Sequence, residues 1–217
     1  KKIFILFFLF IQTNLFAQQY DVCVYGCTSA GVIAAYTAAK LHKNVILIEP
    51  GKHLGGLTSG GLGYTDIGNK YVVTGLARDF YRRMGKHYGK FETWIFEPHV
   101  AEQIFNDYIK EANVPVLYQY HIVNAKKQNG FIQNITIESS ASPSSSTNKI
   151  ITAKMFVDCS YEGDLMAKAK VSYTIGREDN NVYNETWNGY QLQDHHQFPD
   201  GINPYKIPGD STSGLLW

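Results

Sequence analysis

The sequence predicts an α/β fold built on a buried parallel sheet. Three observations carry that reading. Tyr20-Asp21-Val22-Cys23-Val24-Tyr25 and Val45-Ile46-Leu47-Ile48 are short, nearly continuous apolar runs, as expected of strands covered on both faces. Between them lie a glycine turn, Gly26-Cys27-Thr28-Ser29-Ala30-Gly31, and an alanine-rich helical segment, Val32 to Leu41. The whole unit takes about 30 residues, the span of one βαβ crossover. The composition agrees: 217 residues, 44% hydrophobic and 18% charged, make a chain long enough for a sizeable core and too apolar for disorder.

At the N-terminus, Lys1-Lys2 precedes the apolar run Ile3 to Ile11, then Gln12-Thr13-Asn14 and Leu15-Phe16-Ala17. A basic start, an apolar stretch and a small residue at the break form the pattern of an export signal. The run is too short to span a bilayer as a helix, which takes ~20 residues. Residues 1–17 are therefore expected to be a signal peptide cleaved after Ala17, leaving an exported protein, periplasmic or secreted, with no stable membrane insertion. Losing Lys1 and Lys2 takes Lys+Arg from 20 to 18 against 19 Asp+Glu, so the formal charge moves from +1 to −1. Neither value supports nucleic-acid binding by bulk electrostatics.

The chemistry of the βαβ unit follows from its geometry. Gly26 permits a sharp turn off the first strand, and the small residues Thr28, Ser29, Ala30 and Gly31 let backbone N–H groups approach a phosphate. The helix N-terminus adds a partial positive charge at the same place. Thr28 stands where a G-x-G-x-x-G pattern has its second glycine; it crowds the approach and offers a hydroxyl hydrogen bond in exchange. Glu49, 23 residues after Gly26, is placed to accept hydrogen bonds from ribose hydroxyls. The unit reads as a dinucleotide site, and its acid serves NAD and FAD alike. The next stretch, Pro50 to Gly61, favours a flavin: paired Gly55 and Gly56 let backbone pass beside a cofactor, and Thr58 and Ser59 offer hydroxyls.

Further along, Thr74 to Met84 reads as an amphipathic helix, with Leu76, Phe80 and Tyr81 inward and Arg78, Arg82 and Arg83 outward. Glu97-Pro98 opens another, with Val100, Ile104, Phe105, Tyr108 and Ile109 as its buried stripe. Strands are expected at Val114 to Val123, Phe131 to Glu138 and Ile150 to Asp158, with a serine-rich loop between Ser139 and Asn148. Tyr173, Tyr183, Trp187 and Tyr190 read as ordinary core ahead of an aromatic substrate wall. No metal site is expected: in Asp194-His195-His196 neighbouring histidines on a strand face opposite ways. His99 is read as a capping or packing residue and Arg177 as a surface charge, so no catalytic acid or base is nominated. Cys23 and Cys159 fall in apolar strands and Cys27 in the phosphate turn; without a C-x-x-C pair, disulfide redox chemistry is disfavoured.

The run Asp21 to Gly61, with Glu49-Pro50 and His53-Leu54-Gly55-Gly56-Leu57-Thr58-Ser59-Gly60, resembles secreted bacterial FAD-dependent oxidoreductases of the glutathione-reductase-like flavoprotein superfamily, some labelled xanthan lyase. The resemblance continues in Trp94 to Glu102 and Phe156 to Asp164, and covers about Tyr20 to Glu178. It implies a Rossmann-like FAD-binding domain over residues 18–171. Residues 172–217 would then begin an inserted or second substrate domain, truncated relative to longer family members. It also implies that Gly26, Thr28, Ser29, Ala30, Gly31, Glu49 and Pro50 hold the ADP half of FAD, and that Gly55, Gly56, Leu57 and Thr58 run along the pyrophosphate and ribityl chain. Val123 would meet the adenine. Asp158, Gly163 and Asp164 would belong to a strand-and-turn returning to the cofactor, where Cys159-Ser160-Tyr161 replaces the usual Ala-Thr-Gly. The implied activity is hydride transfer to the flavin from an unidentified small-molecule or carbohydrate substrate. Two rivals stay open: a carbohydrate-active, xanthan-lyase-like protein, and a catalytically incomplete cofactor-binding fragment.

Overall fold

The computed structural model describes residues 19–143, 148–186, 188, 201 and 203–215. The expected signal peptide, Trp187, Tyr190 and Asp194-His195-His196 lie outside the described residues. The chain divides into two compact units at Ser172/Tyr173.

The first unit begins β1 (Gln19–Tyr25), α1 (Ser29–Lys40), β2 (Val45–Glu49), the expected crossover. After β2 come α2 (Leu57–Gly60), a 3-10 turn at Lys70–Val72, α3 (Gly75–His87) and α4 (Pro98–Glu111). Then follow β3 (Val116–Tyr118), β4 (Tyr120–Gln128), β5 (Phe131–Ser139), β6 (Lys149–Asp158) and the short α5 (Asp164–Lys168). The six strands lie in the order β3-β2-β1-β6-β5-β4. β3, β2, β1 and β6 pair in parallel, whereas β6, β5 and β4 pair antiparallel.

Strand alternation builds two cores from one sheet. Val24, Val45 and Leu47 pack against Val32 and Ala35 of α1, Phe80 and Met84 of α3, and Ile104, Phe105 and Tyr108 of α4. Cys23, Tyr25, Ile46 and Ile48 belong to the second cluster, with Ile122, Ile135, Ile137 and Ile151 of the antiparallel strands. Both faces of β1 and β2 are thus covered, which is why their sequences are nearly continuous in apolar residues. The predicted stripe of α4 is buried as expected, with Ala101 added.

Two expectations need correction. The strand expected from Val114 to Val123 is two strands. Gln119 takes a left-handed φ of 60°, its N–H donates to Gly51 O at 2.9 Å, and its carbonyl accepts from Ser140 N at 2.7 Å. This reversal ends pairing with β2 and starts the antiparallel layer. The arginines of α3 are not simply outward: Arg78 and Arg82 pair with Glu92, whose side chain is only 7% exposed, and Arg83 pairs with Asp79 and Glu111. In β5, where Ile132, Ile135 and Ile137 do not alternate evenly, Gln133 is skipped in the register against β4.

In the second unit, the described elements are α6 (Asn180–Tyr183) and a hairpin of β7 (Tyr205–Ile207) with β8 (Asp210–Leu215). Tyr173 and Tyr183, expected as core, are 54% and 70% exposed; Tyr173 lies outside any helix or strand, and Tyr183 ends the one-turn α6, which buries no residue.

Candidate cofactor site

Parallel register brings three strand ends to one edge: Tyr25 stands beside Ile48 on one side and Asp158 on the other. Sites in open α/β sheets form at such carboxyl ends. Gly26 leaves β1 at φ 92°, and its N–H donates to Ile48 O at 2.8 Å. A side chain there would meet the backbone of Cys159 and Ser160 at 2.6–2.8 Å, so the glycine is required by the β6 turn as well as by its own dihedral. At Gly31 a Cβ would run into the carbonyl of Gly26, which shows how closely α1 packs on the turn.

Thr28 caps α1. Its hydroxyl accepts from Gly31 N at 3.3 Å and donates to Cys159 O at 2.9 Å, and the residue is only 8% exposed. The hydroxyl expected to face phosphate is therefore already committed to the β6 turn. Ser29 and Ala30 follow in the first helical turn, where amides lack intrahelical acceptors and point out of the helix end.

Glu49 ends β2 with its carboxylate turned onto backbone. Oε2 accepts from Cys27 N at 2.8 Å and Oε1 from Gly51 N at 2.7 Å. An ionised carboxylate has about four acceptor positions, so two hydrogen bonds leave room for hydroxyl donors. Beyond it, Gly55 N donates to Cys27 O at 2.7 Å and Gly55 bridges to Thr28, carrying the glycine loop across the turn. The Ser59 hydroxyl donates to the carbonyl of Leu54, so it serves the loop itself.

Gly26, Thr28, Glu49, Pro50, Gly56 and Asp164, with His53, Ser160, Tyr161 and Glu162, line a cleft of about 250 Å³. Ser29, Ala30 and Thr58 line a neighbouring hollow of about 320 Å³, walled by Ile33, Leu76, Phe80, Tyr81 and Phe105. Gly55 and Leu57, on the same stretch of chain, line neither cavity. Three expected residues sit otherwise. Asp158 accepts from Ser160 N, Ser160 Oγ and Met166 N at 2.7–3.0 Å, tying the turn to α5. Gly163 takes a left-handed conformation as the N-cap of α5. Val123 is skipped in the β4–β5 register and lies outside the cleft lining.

Burial, and then the nearby Glu49 charge, push the Cys27 thiol far above its ordinary value. Burial also holds Cys23 up at about 12 and raises Cys159. Shifts in this direction disfavour the reactive thiolate at all three positions. Arg177 is exposed, in keeping with a surface charge; His99, read as a capping or packing residue, is exposed in the first turn of α4, whose N-cap is Glu97. Among the described residues, no group of three His, Cys, Asp or Glu is arranged to hold a metal ion, and no helix is long and apolar enough to cross a membrane.

The sequence reading missed Tyr161. Its hydroxyl accepts from Leu57 N at 2.6 Å, joining the β6 turn to the glycine loop. The signal was present: a bulky residue at the place of an expected glycine.

The arrangement suits a ribose at Glu49 and a diphosphate at the start of α1. A family model described as FAD dependent oxidoreductase matches residues 21–206. No curated protein matches the chain. Among solved structures, L-proline dehydrogenase from P. horikoshii is 14% identical, with a TM-score of 0.54 over 74% of this chain and 58% of its own. L-amino acid deaminase from Proteus vulgaris is also 14% identical, with a TM-score of 0.52 over 74% of this chain and 51% of its own. THI4 from Thermovibrio ammonificans is 20% identical, with a TM-score of 0.49 over 71% of this chain and 64% of its own. At such identities the likeness to the first two establishes a shared fold. The chain spans less than two thirds of each of these proteins.

Proposed function

The chain belongs to the FAD-dependent oxidoreductase family, and from that premise we propose that it is an exported enzyme oxidising a small-molecule or carbohydrate substrate. The observation that carries the reading is the meeting of the Gly26 turn, the first turn of α1 and the Glu49 carboxylate in one cleft. FAD, when bound, supplies a hydride acceptor. The chain's own residues do the rest. Glu49 accepts from ribose hydroxyls while keeping the Cys27 and Gly51 amides, which holds the turn in its binding shape. The amides of Ser29 and Ala30 face the pyrophosphate from the positive end of α1. Backbone from Gly55 to Thr58 runs alongside, and Phe80 and Phe105 form an apolar wall that excludes water from the adjoining hollow.

Export is supported by the basic, apolar and small-residue order of residues 1–17. The test is to express the chain with its leader in a bacterial host, recover it from outside the cytoplasm and read its N-terminus and visible spectrum. A mature terminus at Gln18 and an oxidised-flavin spectrum, released by acid if the flavin is not covalent, are expected. A colourless protein that takes up no added FAD overturns the reading. Uptake of FAD without reduction by any donor favours the incomplete-fragment reading instead.

A further inference from the structure

We propose that Tyr161 is a cofactor-binding residue that closes over the pyrophosphate of FAD and donates its hydroxyl proton to a phosphate oxygen. The proposal rests on the FAD reading above. Its basis is where the phenol ends. The cleft beside Glu49 and the hollow beside Ser29 adjoin along both walls: one wall passes from Thr28 to Ser29, the other from Gly56 to Thr58. Leu57 lies at that junction, and its N–H donates to the Tyr161 hydroxyl oxygen at 2.6 Å. A Cβ on Gly56 would strike the same hydroxyl, and would come within 3.2 Å of the Thr28 Cα. A cofactor with its ribose at Glu49 and its diphosphate at the first turn of α1 must pass this point.

Chemistry favours a contact there over a mere obstruction. A diphosphate has only acceptors, and it needs donors. The turn carrying Tyr161 also presents Ser160, whose hydroxyl is given to Asp158, and Glu162 and Asp164, two carboxylates that repel phosphate. The Tyr161 O–H is a donor on that wall, whereas the Leu57 N–H is already given to the Tyr161 oxygen. With its oxygen accepting from Leu57, the phenol still has its proton to give. The side chain is 61% exposed, so once its hydrogen bond from Leu57 breaks it can swing outward as the cofactor enters and return over it.

The test compares wild type, Tyr161→Phe and Tyr161→Ala in the full chain, using FAD itself as the probe. Stopped-flow quenching of flavin fluorescence gives association and dissociation rates, and hydrogen exchange reports the Leu57 amide in FAD-free protein. Tyr161→Phe is expected to speed Leu57 exchange and FAD dissociation by about two- to tenfold, the worth of one hydrogen bond. Tyr161→Ala is expected to speed association as well, because the phenol no longer covers the entrance. Melting temperatures stay close to wild type, since the side chain is exposed. Faster Leu57 exchange with FAD rates within twofold of wild type would overturn the proposal, leaving Tyr161 as a brace for the glycine loop. Failure of wild type to bind FAD would sink the functional reading, and this proposal with it.

Discussion

Replacing Gly26 with alanine should disable the site by deforming the junction of β1 and β6. An added Cβ would stand 2.6 Å from Ser160 N, 2.7 Å from Cys159 C and 2.8 Å from Cys159 O. Ordinary contact begins near 3.4 Å, so the backbone must give by about 0.8 Å. No flexible side chain can absorb that movement, because all three atoms are main chain. They belong to the turn whose Cys159 N–H donates to Tyr25 O at 2.8 Å and whose Cys159 carbonyl accepts from Thr28. The φ of 92° adds strain of roughly 1 to 3 kcal/mol for an L-residue, and overpacking adds a similar amount. Together they predict a loss of about 2 to 6 kcal/mol, or roughly 1 to 3 M in urea midpoint at an ordinary slope. FAD affinity should fall by more than tenfold, since the displaced turn holds Thr28, the cap of α1. Gly68→Ala is the control: its Cβ meets nothing within 4 Å and its φ is not positive. That variant should stay within about 0.5 kcal/mol of wild type, or gain slightly. Urea titration followed by circular dichroism, with FAD titration on the same samples, decides the matter. A Gly26→Ala protein with unchanged midpoint and FAD affinity would refute the argument.

Three further outcomes are expected. Glu49→Ala removes the acceptor of the Cys27 and Gly51 amides and of the ribose hydroxyls, so FAD affinity should drop by about tenfold or more in fluorescence titration. Tyr25→Phe takes the acceptor from the buried Ile122 N–H, 3.1 Å away, and should cost about 1 to 3 kcal/mol in chemical denaturation with FAD affinity little changed. Arg78, and then Arg82, hold the Glu92 carboxylate below its usual range. A depressed folded-state pKa contributes stability that is complete above the unfolded carboxylate value and is lost as pH falls through the lower folded value. The stability gap between wild type and Glu92→Gln should therefore be full at neutral pH and shrink steadily in acid, as read by melting temperatures across that range.

Much of the fold is legible in the chain because its signals are local. A continuous apolar run marks each buried strand, a glycine marks the turn between β1 and α1, and Pro98 with a 3.6-residue stripe marks α4. The break at Gln119 carries no such mark. It is set by hydrogen bonds to Gly51 and Ser140, residues far away in sequence. The antiparallel layer covering the second face of the sheet is hidden for the same reason: period-two patterns mark strands without saying which strand each will pair with.

The site divides along the same line. Gly26, Ser29, Ala30, Gly31 and Glu49 are recognisable as a dinucleotide cradle, because turn geometry and the spacing of one βαβ unit place them together without help from the rest of the chain. Which polar groups remain available is another matter. Thr28 gives its hydroxyl to Cys159, 131 residues away, and Leu57 gives its amide to Tyr161, 104 residues away. Asp158 turns its carboxylate onto Ser160 and Met166. Spacing along a chain determines what can be near a ligand; only packing β6 against β1 decides which of those groups are already bonded to the protein itself.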